Sequence, residues 1–198
     1  MEIKQDFIVQ NEYSRPGKPL KSVMAVVMHW TGVPKQDAKE VRQFFQNRRA
    51  GTAGYGSAHY IVGLKGDIVQ CIPETEIAYH CGSSQKDPAS GRVYTDKARD
   101  MFGMYAKDYM NLSPNLVTIG IELCTLDDKG HFSDATLSSA VHLVADILQR
   151  YKLTAADIVT HHDIVGWKDC PRLWTHEPGE FEAFRTRVQD TIIRGYIA

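Results

Sequence analysis

Two hydrophobic periods take turns along this chain, and the change from one to the other outlines its elements. Val23 to Met28 (VMAVVM) is an unbroken, β-branched-rich run that predicts a buried strand ending at His29-Trp30-Thr31-Gly32. From Asp37 to Arg48 the period becomes helical, with Val41, Phe44 and Phe45 on one face and an acid early in the first turn. After the glycine-rich turn Gly51 to Gly56 come Ala58 to Leu64 and Asp67 to Ile72. These are two short strands around Lys65-Gly66, which predicts a β-hairpin. Val117 to Leu123 (VTIGIEL) predicts another buried strand, carrying the single acid Glu122. Beyond the turn Asp127-Asp128-Lys129-Gly130, Ser133 caps a predicted helix from Asp134 to about Tyr151, with Leu137, Val141, Val144 and Leu148 on its apolar face. Ile158 and Val159 give a short strand, and Phe181 to Ile193 a closing helix.

Strands alternate with helices, yet a hairpin requires an antiparallel neighbour. The expectation is therefore an α/β chain with a mixed β-sheet covered by helices. Residues 1–20, with the irregular connector Ser14 to Pro19, are expected to form an N-terminal arm on a domain spanning residues 21–198. Residues 83–115 are poorly patterned and rich in Tyr, Met and Lys, and a connection that long is usually functional or mobile. No internal repeat or low-complexity tract is visible.

Composition narrows the function classes. With 198 residues, 43% of them hydrophobic, one full core is expected in a single domain, and no covalent staple is required. Cys71, Cys81, Cys124 and Cys170 allow two disulfides in any of three pairings, or none. Lys and Arg number 23 against 24 Asp and Glu, so the net charge of -1 offers no general attraction to nucleic acid or to an anionic membrane. The start, MEIKQDFIVQ, lacks the basic and apolar regions of a secretory signal, and no apolar run approaches the ~20 residues of a membrane span. A soluble monomer with no membrane insertion is expected.

The densest chemistry lies in Thr160 to Pro171, THHDIVGWKDCP. Three metal-ligand types sit at predicted strand ends: His29 after VMAVVM, His161 after DIVT, and Cys170 further on. Two imidazoles and a thiolate, with a fourth position left for water, suit zinc better than magnesium or calcium. Each residue taken singly also reads as ordinary core. Of the adjacent pair His161 and His162, only one is expected to face the metal, because successive side chains of an extended segment point to opposite sides. Spacing alone leaves that choice nearly even.

The ordered set MHWTG, SAHYIV, AYHCG, TIGIEL and HHDIVGWKDCP resembles the zinc-dependent N-acetylmuramoyl-L-alanine amidases. That family also contains the phage lysozyme-amidases and the animal peptidoglycan recognition proteins. The resemblance covers roughly residues 21–173, and NEYSRPG near the start is similar to prophage and autolysin members. It implies one zinc per chain held by His29, His161 and Cys170, with His162 turned away. Glu122 is then the base facing the attacking water, where otherwise it would be a buried acid with an Arg partner. Lys168 becomes the oxyanion stabiliser in place of an ordinary solvated lysine.

The implied substrate is peptidoglycan, cut between N-acetylmuramic acid and L-alanine, with action at the cell wall. The resemblance places His80 along the substrate groove, and His59 beside the site as a core histidine. Tyr94, Phe102, Tyr105 and Tyr109 either wall the groove or pack on their own core. Asp163 either orients His161 or caps the loop. His131, His142 and His176 are expected at the surface or on helices. Two alternatives remain in view: a cytoplasmic amidase that recycles anhydro-muropeptides, and a binding module that keeps the fold without the reaction. The absent signal favours the first, whereas the prophage-like start and the Cys ligand favour a lytic enzyme. The second is opposed by the presence of all five residues.

Overall fold

The computed structural model of the protein describes residues 2–105 and 112–197. Tyr109 lies outside the described residues. Six strands form one sheet: β1 (Ile3–Gln5), β2 (Ala25–Trp30), β3 (Tyr60–Val62), β4 (Ile68–Gln70), β5 (Thr118–Leu123) and β6 (Ile158–Thr160), in the order β1-β4-β3-β5-β2-β6. All neighbours are parallel except β3 and β4, so the sheet is mixed as expected. The helices are α1 (Ala38–Asn47), α2 (Asp96–Met101), α3 (Asp134–Tyr151), α4 (His161–Val165), α5 (Arg172–His176) and α6 (Pro178–Ile197).

The two crossovers that flank the centre run in opposite directions. From β2 the chain passes through α1 to β3, on the far side of β5; from β5 it passes through α3 to β6, on the far side of β2. Right-handed crossovers in opposite directions must put their helices on opposite faces. The packing agrees. Val26, Met28, Ile119, Ile121 and Leu123 join α3 and α6 in one continuous core, closed by Trp174 of α5 against Phe132, Phe181 and Phe184. The other face carries two separate apolar clusters, one under α1 with Ile61 and Val69, the other under α2 and α4 with Ala25, Val27 and Val159. A crevice opens where such crossovers diverge, beyond the carboxyl ends of the central strands. Here those strands are β2 and β5.

Local signals set most boundaries. Asp37 caps α1 in a capping box with Glu40, and Ser133 caps α3 at Thr136. The hairpin differs from its expected two-residue turn: Gly63 N–H meets the Asp67 carbonyl at 2.8 Å, so Leu64-Lys65-Gly66 forms a three-residue connection. Gly66, at φ 81°, takes the left-handed position such a loop requires, and a Cβ there would lie 2.9 Å from the Ala135 carbonyl.

The first twenty residues are more than a covering arm. β1 extends the sheet beside β4, Ile8 is fully buried, and Arg15 grips Glu76 through two hydrogen bonds of 2.8 and 2.7 Å. Within residues 83–115, α2 is capped by Thr95 and buries Ala98, while Phe102 lies in the core. Neither α2, α4 nor α5 has a strong period of its own, because one-turn helices are too short to display one. All four cysteines are free and buried.

Candidate metal and catalytic site

β2 and β5 pair in register, with His29 opposite Glu122. Paired residues of adjacent strands point to the same face, so the imidazole and the carboxyl emerge together at the strand ends, on the α1/α4 side. His161 comes from the next element. Thr160 ends β6 and caps α4, its hydroxyl accepting from the Asp163 N–H at 3.0 Å, while the Asp163 carboxylate takes the Thr160 N–H at 2.9 Å. Asp163 also holds Lys97 at 2.8 Å. Of its two expected roles, the structure displays the cap. That cap sets His161 as the first residue of the helix.

The segment His161-His162 is thus helical and not extended as the sequence reading assumed. Successive side chains diverge by about 100° in a helix, which still separates the two rings. His161 is buried and faces the cleft, whereas His162 is half-buried and holds the Lys168 carbonyl at 3.1 Å. Cys170 then returns beneath His29, fastened by the His162 N–H to its own carbonyl at 2.9 Å.

One donor atom each from His29, His161 and Cys170 lies within 4.8 Å of the other two, the one such group of His, Cys and acidic residues among the described residues. The Cys170 Sγ to His29 Nδ1 distance is 3.7 Å. A tetrahedral zinc with ordinary Zn–S and Zn–N bonds asks for about 3.5 Å on that edge. His161 Nε2 meets the Gly82 carbonyl at 3.0 Å and must carry the hydrogen there, which leaves Nδ1 as a bare lone pair. That Nδ1 is buried with no partner. An orphaned imidazole nitrogen beside a second imidazole and a thiol is what a metal ion would satisfy, and the mixed N/S donor set fits zinc.

Electrostatics keep the two histidines neutral, as ligands must be. Burial pushes His161 down to about 3, with Lys168 adding to the effect, and holds His29 well below the ordinary imidazole range, where the neighbouring histidines and Lys168 add to it. The Cys170 thiol is pushed up to about 12 by burial and by Glu122, against the opposing charge of Lys168. Glu122 is raised to about 8 by burial, with Lys168 and Arg48 resisting. Its Oε2 has no hydrogen-bond partner. Arg48 is no ion-pair partner of Glu122: it donates to the carbonyls of Ala53, Gly54 and Tyr55 and lies 4.7 Å over the Phe44 ring.

These groups floor a cleft of about 750 Å³. Lys168 lines it from an exposed position, so its surroundings are not water-poor until something covers them. Val33, Phe44, Tyr55 and Trp167, half of the large apolar side chains left exposed among the described residues, line the same cleft. Phe44 departs from the single helical face drawn for it, since Val41 and Phe45 are buried one turn apart while Phe44 is 48% exposed. Tyr94 and Tyr105 do not line this cleft: Tyr94 borders a separate hollow beside Trp167, and Tyr105 is exposed against Arg99. Trp30 and Trp167, aromatic residues inside the site motifs, are the sequence signal for the lining.

His59 is a core histidine as expected, driven down to about 4 by burial, accepting from the Gly120 N–H at Nδ1 and meeting the Glu76 carbonyl at Nε2. His80 is buried as well. Its Nδ1 lies 3.0 Å from His29 Nε2, and its Nε2 lies 3.2 Å from Thr118 Oγ1. His80 lines the cleft as expected, but both of its ring nitrogens are engaged by the protein. His131, His142 and His176 sit at the surface, with Asp127, the Ser138 carbonyl and Asp169 as partners. No helix among the described residues is long and apolar enough to cross a membrane.

Residues 19–173 match the protein family described as N-acetylmuramoyl-L-alanine amidase. The chain is 32% identical over 194 residues to a probable N-acetylmuramoyl-L-alanine amidase of Bacillus licheniformis, a match covering 98% of this chain and 49% of the relative. It is 30% identical over 184 residues to the N-acetylmuramoyl-L-alanine amidase BlyA of Bacillus subtilis (strain 168), covering 92% of this chain and 46% of the relative. The chain spans about half the length of the curated relatives it matches. Among solved structures, the catalytic domain of XlyA superposes with a TM-score of 0.67 at 23% identity, covering 95% of this chain and 99% of that one. The PlyG catalytic domain gives 0.70 at 20% identity, covering 98% and 96%. At such identities these two likenesses bear on the fold.

Proposed function

From the premise that this chain belongs to the N-acetylmuramoyl-L-alanine amidase family, we propose that it hydrolyses the amide joining N-acetylmuramic acid to L-alanine in peptidoglycan. His29, His161 and Cys170 would hold the zinc this reaction uses. The observation that carries this reading is the meeting of two neutral imidazoles and a thiol, one imidazole nitrogen orphaned, beside the unpartnered carboxyl of Glu122. When bound, zinc supplies Lewis-acid polarisation of the scissile carbonyl and acidifies the attacking water.

The chain's own residues do the rest. Glu122, in register with His29 on the next strand, takes the proton of the water and returns it to the departing nitrogen, so that one water and one amide become a lactyl carboxylate and the amino group of L-alanine. Buried and without a partner at Oε2, the Glu122 carboxyl is free to hold that proton between the two halves of the transfer. Lys168 places positive charge on the cleft side where the oxyanion develops, and its exposure means that bound substrate must first displace water there. Phe44, Tyr55 and Trp167 offer apolar faces to sugar rings or to the peptide stem.

Digestion of purified peptidoglycan provides the test. Free amino termini of L-alanine should accumulate without new reducing ends. Reducing ends in place of those termini would end the reading. Action on the cell wall belongs to the same proposal, and comparing intact sacculi with soluble muropeptides checks it: rapid release from sacculi supports the lytic role, and turnover of soluble muropeptides alone would favour recycling.

A further inference from the structure

Neither histidine of the AYHCG and SAHYIV segments is a ligand candidate, yet His80 is buried directly behind His29. We propose that His80, anchored by Thr118, is a positioning residue that fixes the tautomer and orientation of His29 so that its Nδ1 lone pair faces the metal position. This rests on the reading of His29 as a ligand.

The direction of every hydrogen bond in the chain follows from its far end. The Pro114 carbonyl can only accept, so Thr118 Oγ1, at 2.7 Å, donates its single hydrogen to it. Toward His80 Nε2, 3.2 Å away, the same oxygen can then only accept. Nε2 therefore carries the hydrogen, and Nδ1 of the neutral ring is a lone pair. His29 Nε2 lies 3.0 Å from that lone pair and must donate to it. The remaining nitrogen of His29, Nδ1, is left bare toward Cys170, 3.7 Å away. Were His29 to flip tautomer, two lone pairs would face each other inside the protein. Cys81 Sγ, 3.2 Å from the same His80 nitrogen, offers another donor and agrees with this polarity.

The strand behind the ring is shaped to admit it. A Cβ on Gly120 would lie 2.5 Å from the His80 ring, so glycine is required for the ring to lie against β5. Thr118, Gly120 and Glu122 therefore form one functional stripe along a single face of the strand: an anchor, a gap and a carboxyl. The His80 backbone is held too, its N–H and that of Cys81 both donating to Asn115 Oδ1 at 3.0 and 2.8 Å.

The test has a direct arm and a thermodynamic arm. Two-bond ¹H–¹⁵N correlation spectra of the intact, metal-free protein read imidazole tautomers. Hydrogen on Nε2 of both His29 and His80 is expected, and hydrogen on Nδ1 of either would overturn the proposal. Zinc affinity by chelator competition is the second readout. Thr118→Val keeps the side-chain shape and removes the anchor, so the zinc Kd should rise by roughly 10- to 100-fold, as for other outer-shell partners of metal ligands. Thr118→Ser retains the hydroxyl and should bind zinc as the wild type does. Unchanged affinity in Thr118→Val would refute the positioning role even if His29→Ala loses zinc. Full zinc binding by His29→Ala would instead remove the ligand reading, and this proposal with it.

Discussion

The six residues of β5 alternate between two faces that do opposite things. Ile119, Ile121 and Leu123 point into the core under α3 and α6, where each is fully buried in an apolar cluster. Thr118, Gly120 and Glu122, one residue out of step, point to the α1/α4 side, where they support His80, make room for it and present a carboxyl to the cleft. The apolar face tolerates approximate chemistry as long as volume is conserved. The polar face tolerates little, since each buried polar atom there has a specified partner or a specified vacancy for one. Stability should therefore reside mainly on one side of the sheet and chemistry on the other.

The largest expected effect is on the polar side. His29→Ala, His161→Ala and Cys170→Ala should each lose zinc by elemental analysis and with it essentially all activity, whereas His162→Ala should keep both. Zinc retained in His161→Ala and lost in His162→Ala would reverse the assignment of the neighbours. Next comes Glu122→Gln, which preserves shape but cannot accept a proton. Turnover should fall by about 10²- to 10⁴-fold with zinc content unchanged, and wild-type turnover by the folded, zinc-loaded variant would leave the site without its base.

On the apolar side, Ile121→Ala should lower the unfolding free energy by about 2–5 kcal/mol in urea titrations. Turnover per folded molecule should hold, and a loss of chemistry larger than the loss of folded protein would show that the two faces are coupled through the strand.

The smallest effect sharpens the same contrast at the edge of the apolar side. Glu74 accepts from Arg150 Nη2 at 2.8 Å and from the hydroxyls of Tyr60 and Tyr151 at 2.8 and 2.9 Å. Burial alone would raise its proton affinity, but these donors win and hold it below the usual carboxylate range. A carboxyl lowered on folding stabilises the protein above its unfolded value of about 4.3, and that contribution vanishes as pH falls through the lower folded value. Glu74→Gln should thus cost about 1.5–3 kcal/mol near neutrality and flatten the acid limb of the stability curve. An unaltered acid limb would mean that Glu74 takes no part in it.

Much of this arrangement was legible along the chain. VMAVVM and VTIGIEL announced β2 and β5 because a strand buried on both sides must be apolar nearly throughout, which makes the lone Glu122 conspicuous. Ser133 and the period after it gave α3 from Asp134 to Tyr151. The one-turn helices α4 and α5 were illegible because five residues display no period, and their stability comes from caps and from packing such as that of Trp174. The lining of the cleft was legible only where an aromatic residue sits inside a site motif, as Trp30 and Trp167 do; outside the motifs Tyr94 is equally aromatic, and only the path of the chain takes it elsewhere.

The sequence by itself determined the central strands, the hairpin and the long helices, and that two histidines, a cysteine, a glutamate and a lysine stand at or just beyond strand ends, because periodicity, capping and strand termination act over a few residues. What only the tertiary structure decided is which nitrogen of each histidine is free. His29 meets His80 across 51 positions of sequence and Cys170 across 141. A neutral imidazole has one donor and one acceptor, and which is which depends on whatever the fold sets beside it. In this protein a proline carbonyl, three hydrogen bonds away from His29, settles the matter through Thr118 and His80.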